Sequence, residues 1–327
     1  MIAFEEIVGR NVLVTGGTGM IGRELVDLLQ RDNLVTTVSL DLEGIPGIKH
    51  VQADLTEYSV CKKLCEKNEY IFHLAGVKGS PDAAKNRPAS FFVPMLQFNT
   101  NMMRAAFETK CRHYLYTSSV GVYQPAEVFK EEDTETTVPS RNDWYAGWAK
   151  RVGEMQAEAY RIQAGWSRYS VIRPANVYGS YDNFDVKTAM IIPTLIHKMV
   201  SEPEKDLELM GDGSNIRDFV HARDVARAMI HMTNYDEQGP MNIGCGVGIS
   251  IKELVETLQK VTDFQGNIVW LGGPSGDAKR VMDIKKILDS GFKLEVSLED
   301  GLRETVEWYK NSFASTNRTN YFQDITK

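Results

Sequence analysis

Thr15-Gly16-Gly17-Thr18-Gly19-Met20-Ile21-Gly22 follows directly on the apolar run Asn11–Thr15 and opens into the helical pattern Met20–Arg31. A strand running through a glycine-rich turn into a helix supplies the context that a bare glycine pattern lacks. Gly16 permits the tight turn. Gly19 lets a pyrophosphate approach the N–H groups at the helix N-terminus, where Met20 and Ile21 lie, and Gly22 allows close helix–strand packing. Asp41, about 20 residues after Gly22, ends the second apolar run, where an acid accepts hydrogen bonds from a ribose 2′-OH. The same carboxylate repels a 2′-phosphate, and Leu42 and Glu43 supply no compensating cation, so the pattern favours NAD over NADP. Asp54-Leu55 after the third strand is placed to contact adenine. His73-Leu74-Ala75-Gly76 ends the fourth, where ligands bind in open α/β sheets, and Leu74 and Ala75 join the cofactor set.

Outward from that turn, Asn11–Thr15, Val35–Leu40, Tyr70–Leu74, His113–Thr117 and Tyr169–Arg173 read as buried strands. Helical stretches near Met20–Arg31, Glu57–Lys67, Phe91–Glu108 and Ala146–Ala164 lie between them. Such alternation predicts an α/β fold, a doubly wound parallel Rossmann sheet covered on both faces. After Pro174 the pattern loosens into short helices (Thr188–Val200, Ala222–Asn234, Ile251–Val261, Leu298–Tyr309) and isolated strands (Leu207–Met210, Ile268–Leu271). The expected organisation is an NAD-binding domain over residues 1–175 with a returning segment at about 217–245. A smaller α/β substrate-binding lobe takes up most of 176–312, and 313–327 reads as a flexible polar tail.

The 327 residues are 43% apolar, 25% charged and 9% aromatic, which excludes disordered, collagenous and coiled-coil classes. A net charge of −7 leaves no cationic footprint for nucleic acid or an anionic membrane. Cys61, Cys65, Cys111 and Cys245 are scattered, with no ligand set around them, so they read as structural thiols and no metal is expected. Met1–Glu6 carries two acids and no apolar h-region, and no stretch approaches the ~18 apolar residues of a membrane span. A cytoplasmic enzyme is the default.

Thr117-Ser118-Ser119-Val120-Gly121-Val122-Tyr123 follows the fifth strand, with Tyr145 and Lys150 downstream at the start of a helix. Here the chain resembles the extended short-chain dehydrogenase/reductases, the nucleotide-sugar epimerase/dehydratase family, over nearly its whole length. Matching segments include Gly16–Gly22, Asp54-Leu55, His73–Ala75, Asn99, Arg173-Pro174-Ala175-Asn176-Val177-Tyr178-Gly179 and Arg217-Asp218-Phe219-Val220-His221. Asp182-Asn183-Phe184, Ile192-Pro193 and His197-Lys198 look most like GDP-fucose synthases. The resemblance implies that Tyr145 acts as general base and acid on a sugar oxygen, that Lys150 stabilises its phenolate, and that Ser119 hydrogen-bonds the reacting oxygen. It also places Asn99, Tyr145, Lys150 and Pro174 at the cofactor. The family needs Tyr and Lys four apart, about 400° around a helix, whereas Tyr145 and Lys150 are five apart, about 500°. Ala146 holds the position four before Lys150. Either Gly147 marks a one-residue bulge or a late helix start that returns the tyrosine, or catalysis has been lost.

Dehydratases of this family resemble one another in an Asp-Glu pair after the catalytic hydroxyl; here Val120 and Gly121 stand there, so elimination is not expected. The Cys and His that fucose synthases use for C3/C5 epimerisation correspond to Gly121 and Met190, so that activity should be absent too. What remains is redox at one sugar carbon, expected at C4, as an epimerase or a 4-keto reductase or dehydrogenase of a GDP- or other nucleotide sugar. Asn176, Arg217 and Arg280 are the candidate substrate residues, the arginines forking onto diphosphate oxygens. Alternatives are a non-nucleotide alcohol as substrate, or an NAD-binding sensor without turnover. The helices near Phe91–Glu108 and Ala146–Ala164 carry broad apolar faces that the resemblance pairs into a homodimer.

Overall fold

In the computed structural model, which describes residues 7–77, 85–235, 239–273 and 276–312, Val12, Leu13 and Val14 are fully buried. Met1–Glu6, expected to lack an apolar leader, and the expected flexible tail from 313 lie outside the described residues. The chain runs β1 (Asn11–Thr15), α1 (Met20–Leu29), β2 (Leu34–Ser39), β3 (Lys49–Gln52), α2 (Tyr58–Cys65), β4 (Tyr70–His73), α3 (Pro88–Glu108), β5 (His113–Thr117), α4 (Trp144–Ala164) and β6 (Tyr169–Pro174). It continues with β7 (Asn176–Tyr178), α5 (Ile191–Ser201), β8 (Leu207–Leu209), β9 (Ile216–Arg217), β10 (Phe219–His221), α6 (Ala222–Thr233) and β11 (Pro240–Ile243). Last come β12 (Ile249–Ser250), α7 (Ile251–Thr262), β13 (Ile268–Trp270), β14 (Lys279–Arg280), α8 (Lys285–Asp289) and α9 (Leu298–Ser312).

The expected doubly wound sheet is present: seven parallel strands in the order β11-β6-β5-β4-β1-β2-β3. β1 reads as an unbroken apolar run because both its faces are covered. Val12 and Val14 enter the core formed with α1 and α6, whereas Leu13 enters the core formed with α2, α3 and α4. Each such side chain contributes about 1.5–3 kcal/mol on burial. Strand order reverses between β1 and β4, so a crevice opens at the carboxyl ends of those two strands. Residues 222–243 return to this sheet, with β11 pairing along β6. Much of the remaining chain packs around a third core, in which Leu195 and Ile196 of α5, Leu254 and Leu258 of α7, and Leu302 and Val306 of α9 are buried, whereas Met282, Ile284, Ile287 and Phe292 return to the core formed with α1 and α6.

α4 begins at Trp144, two residues before the expected start, directly after the 3₁₀ turn Arg141–Asp143, and is unbroken to Ala164. There is neither a bulge nor a late start at Gly147. β7, β9, β10, β12 and β14 hold two or three residues each, too few to show a period.

His73, assigned no chemistry by the sequence, ties the switch point together. Its Nδ1 lies 2.8 Å from Thr15 Oγ1 and its Nε2 2.9 Å from Asn99 Oδ1. Thr15 Oγ1 accepts the N–H groups of Leu74 and Ala75, so the hydroxyl proton points to Nδ1 and the imidazole proton resides on Nε2. Complete burial lowers His73 to about 3, with the Lys150 charge adding to the effect. An unfolded histidine takes up its proton near pH 6.5. The neutral native ring is therefore without cost above that pH and destabilises the fold progressively as pH falls toward 3, by on the order of 5 kcal/mol at the limit. Chemical denaturation from pH 7 to 4 should show a shallower loss of stability in His73→Gln than in the native chain; the parallel slope from His113, lowered to about 4 by burial, remains in both.

Candidate active site

The glycine turn has the shape an anion needs. Gly16 adopts φ +66°, and a Cβ there would lie 3.1 Å from the Ala75 nitrogen. A Cβ on Gly22 would meet the Gly16 oxygen at 2.4 Å, which only glycine allows. Gly19 caps α1 without a side-chain acceptor, so the N–H groups of Met20 and Ile21 open onto the crevice. At the end of β2 the hydroxyls of Thr18 and Ser39 both donate to Asp41 Oδ2, leaving Oδ1 for a ribose hydroxyl. Three buried polar atoms, Asn99 Nδ2, Thr117 Oγ1 and Ser118 Oγ, have no protein partner. Dipolar cradle, fixed carboxylate and unmatched polar atoms together fit a dinucleotide lying across the carboxyl ends of the strands.

Other candidate cofactor residues are placed differently. Asp54 Oδ1 accepts the Thr56 N–H at 2.9 Å, a local turn bond. Leu55 lies in the core with α2 and α3, its carbonyl accepting from Cys61 and Asn101. Pro174 pairs with Ile243 at the end of β6.

Ser119 opens the 3₁₀ turn Val120–Val122, its Oγ accepting the Gly121 N–H at 3.1 Å. The first turns of α4 press on this segment: a Cβ at Gly147 would lie 2.2 Å from the Gly121 carbonyl oxygen and 2.7 Å from Pro139 Cβ. Gly147 is therefore a close-approach glycine rather than a bulge. That approach lets Lys150 Nζ donate to the Thr117 carbonyl at 2.8 Å, above the Tyr116 ring. Burial lowers Lys150 to about 8, with Glu154 opposing, so the amine is mostly charged at neutral pH. Tyr145 sits at the second helical position, 46% exposed, edge-on to Phe92 of α3 with ring centroids 5.7 Å apart. With no bulge the helix leaves Tyr145 on the face next to that of Lys150, and Ala146 holds the position above the lysine.

β9 and β14 run parallel with Arg217 and Arg280 in register, which brings the two candidate substrate cations side by side. Burial and the neighbouring Arg280 charge lower Arg217 from the usual guanidinium range, and its Nη1 donates to the Ile216 carbonyl. Arg280 is ion-paired with Asp277 and, at 2.5 Å, with Asp143. Asn176 Nδ2 donates to the Asp218 carbonyl at 2.8 Å, joining β7 to β10.

Sequence reasoning missed the groups that fix α4. Glu154 grips the buried Arg173 guanidinium with two bonds, 2.9 and 2.7 Å, and Arg173 also reaches the Tyr123 hydroxyl. A carboxylate four residues after Lys150 was the available signal. Asp277 accepts from Ser140, Asn142 and Arg280, a bond set across 137 positions that no local pattern announces.

Residues 12–244 match the model of the NAD dependent epimerase/dehydratase family. A probable GDP-L-fucose synthase 1 of Oryza sativa subsp. japonica is 32% identical over 323 residues, covering 95% of each chain. A UDP-N-acetylglucosamine 4-epimerase from Methanobrevibacter ruminantium M1, solved with UDP-N-acetylmuramic acid, superposes with TM-score 0.83 at 25% identity over 93% of this chain and 99% of that one. A GDP-L-fucose synthetase from Naegleria fowleri bound to NADP gives TM-score 0.81 at 22% identity, over 97% of this chain and 100% of that one. Among the described residues no helix is long and apolar enough to cross a membrane, and no cluster of ligating side chains is arranged for a metal.

Gly147→Ala gains helix propensity, about 1 kcal/mol, but drives a methyl into the Gly121 carbonyl, for about 3 kcal/mol of strain. The expected net loss is about 2 kcal/mol by urea unfolding. A stabilised variant would mean that the helix does not rest on the Ser119 turn.

Proposed function

Because the chain belongs to the NAD dependent epimerase/dehydratase family, we propose that it is an NAD-dependent nucleotide-sugar oxidoreductase acting at one sugar carbon, C4, as a C4 epimerase or a 4-keto reductase. The observation that carries this reading is the convergence of the Ser119 turn, the Lys150 ammonium and the Gly147–Gly121 contact beside the crevice that the glycine turn opens. Bound NAD supplies hydride acceptance and donation at that carbon. Ser119 hydrogen-bonds the sugar oxygen, Lys150 keeps positive charge beside the site, and Tyr145 carries the proton to and from that oxygen. Arg217 and Arg280 hold the diphosphate, and Asn176, through its free Oδ1, the sugar. Gly121 and Met190 have no proton to transfer, which argues against C3/C5 epimerisation and so against a full GDP-fucose synthase reaction. GDP is the favoured nucleotide because the curated relatives with the longest matches, over 325, 323 and 316 residues, bear GDP-sugar names.

NAD is preferred here over NADP because the Asp41 carboxylate, fixed by two hydroxyls, meets the ribose where a 2′-phosphate would lie. Exposed Val93 on α3 and Val152, Met155 and Ile162 on α4 suit a second copy of the chain, and a homodimer in the cytoplasm completes the reading. A second reading, a dinucleotide holder without turnover, is favoured by the outward Tyr145 and by Ala146 at the position four before Lys150.

Thermal denaturation with NAD or NADP, alone and with GDP-, UDP-, CDP- and dTDP-sugars, tests the assignment by mass action. NAD should raise the midpoint more than NADP, and Asp41→Ala should narrow the difference. A larger shift with NADP overturns the role of Asp41. With the sugar that stabilises most, Tyr145→Phe should lower turnover by about 100- to 10,000-fold while leaving the NAD shift intact. If the native chain binds NAD but turns over none of these sugars, the second reading holds.

A further inference from the structure

Asp143 is the N-cap residue of α4, a position where aspartate usually accepts an N–H from the first helical turn. Here its carboxylate makes no such bond. It is turned instead to Arg280, with Oδ2 2.5 Å from Nη2, and Arg280 is its one ion-pair partner among the described residues. Asp277, the other carboxylate on Arg280, is held independently by Asn142 Nδ2 at 2.7 Å and by the Ser140 hydroxyl at 3.2 Å. The residues that follow the cap are Trp144 and Tyr145. The turn that carries the proposed proton carrier is thus uncapped, and its cap residue is spent on a cation of the smaller lobe. The site also adjoins Ser119: the Asp143 carboxyl carbon and Ser119 Oγ each lie 3.5 Å from where a Cβ on Gly121 would stand.

We propose that Asp143 exchanges between Arg280 and the open N-terminus of α4, so that a diphosphate arriving at Arg217 and Arg280 releases Asp143 to cap the helix and resets the turn bearing Tyr145. This rests on the reading of those arginines as the diphosphate site. The physical ground is competition for one guanidinium. An incoming diphosphate neutralises Arg280 and repels the nearest carboxylate, and of the two carboxylates Asp143 is the one with no other donor to hold it. Once free, it has the N–H groups of the first turn within reach of its own backbone position. Tyr145 then moves with the turn, which supplies a route for the tyrosine to leave the face beside Phe92. Asp143 is a positioning residue in this scheme, acting through the helix rather than on the sugar.

Trp144 reports on the turn directly, since it follows Asp143, stacks edge-on to Trp148 with centroids 5.9 Å apart, and lies 3.9 Å under the Arg141 guanidinium. GDP and UDP, with no sugar, are the probes, and calorimetry measures binding while Trp144 emission is isolated by difference against Trp144→Phe. In the native chain, nucleotide binding should shift Trp144 emission. Asp143→Asn, which caps a helix as well as Asp but offers Arg280 no charge, should bind the better nucleotide about fivefold tighter or more. Its Trp144 emission should match that of the liganded native chain before any nucleotide is added. Asp143→Glu keeps the charge and is a poor cap, so it should bind near native affinity with no shift in Trp144. Calorimetric binding without a Trp144 response, or equal affinity in the native chain and Asp143→Asn, overturns the exchange and leaves the diphosphate reading standing. Failure of both nucleotides to bind the native chain overturns the diphosphate reading, and the exchange falls with it.

Discussion

The contact between Gly147 and the Gly121 carbonyl sets the distance at which α4 lies over the end of β5, and the candidate site depends on that distance. Gly153, two turns on, repeats the device, because a Cβ there would lie 2.3 Å from the Tyr116 hydroxyl. With the helix backbone this close, Lys150 reaches the Thr117 carbonyl and Arg151 Nε reaches the Val122 carbonyl, each at 2.8 Å. Both carbonyls sit at the ends of the segment carrying Ser119. A buried ammonium is costly to desolvate, and a charge-assisted bond returns about 1.5–3 kcal/mol of that cost. Moved outward by the width of a methyl group, the helix would loosen both cations from their carbonyls together. Glu154 and Arg173 brace the same helix at its middle against β6, so α4 is fixed by one steric contact and a set of charged bonds around it.

The sheet was legible because parallel strands covered on both faces are written as short runs rich in β-branched, aliphatic and aromatic residues, and Asn11–Thr15, His113–Thr117 and Tyr169–Arg173 are such runs. The glycine turn was legible because its residues answer to backbone geometry alone. Gly147 was misread for the opposite reason. Counting 100° per residue from Tyr145 to Lys150 shows that the two diverge, but it does not show what lies against the helix, and the reason for a glycine there is a carbonyl 26 positions earlier. The burial of the Leu55 side chain was not legible, since an apolar residue after a strand reads the same whether it packs in the core or lines a ligand. Asp143 and Asp277 were invisible because each gains meaning only from Arg280, across strands too short to leave a pattern.

At the end of β2 two hydroxyls converge on one oxygen. Thr18 belongs to the glycine turn and Ser39 to the last position of β2, and both donate to Asp41 Oδ2. The carboxylate is therefore pre-oriented, and a ribose hydroxyl needs no reorganisation to reach Oδ1. The glycine turn and the acid are thus held as one unit, with the Thr18 hydroxyl as the hydrogen-bonded link between them.

At the other end of the crevice the charges are arranged by the smaller lobe. β9 and β14 put Arg217 and Arg280 in register, a repulsive pairing that stands only if anions balance it. Asp277 and Asp143 supply that balance in the chain alone, and they supply it unevenly, since both pair with Arg280 and Arg217 has a backbone carbonyl. The surplus positive charge consequently lies at Arg217, the edge that a diphosphate would meet first. Asp143 stands at the start of α4 and Arg280 on β14, so the ion pair between them joins a helix of the central sheet to the three-stranded sheet β12-β9-β14. An uncharged alcohol entering the crevice would leave that joint as it is, whereas an anion must redistribute it. The charge pattern is therefore better explained by an anionic substrate than by a neutral one.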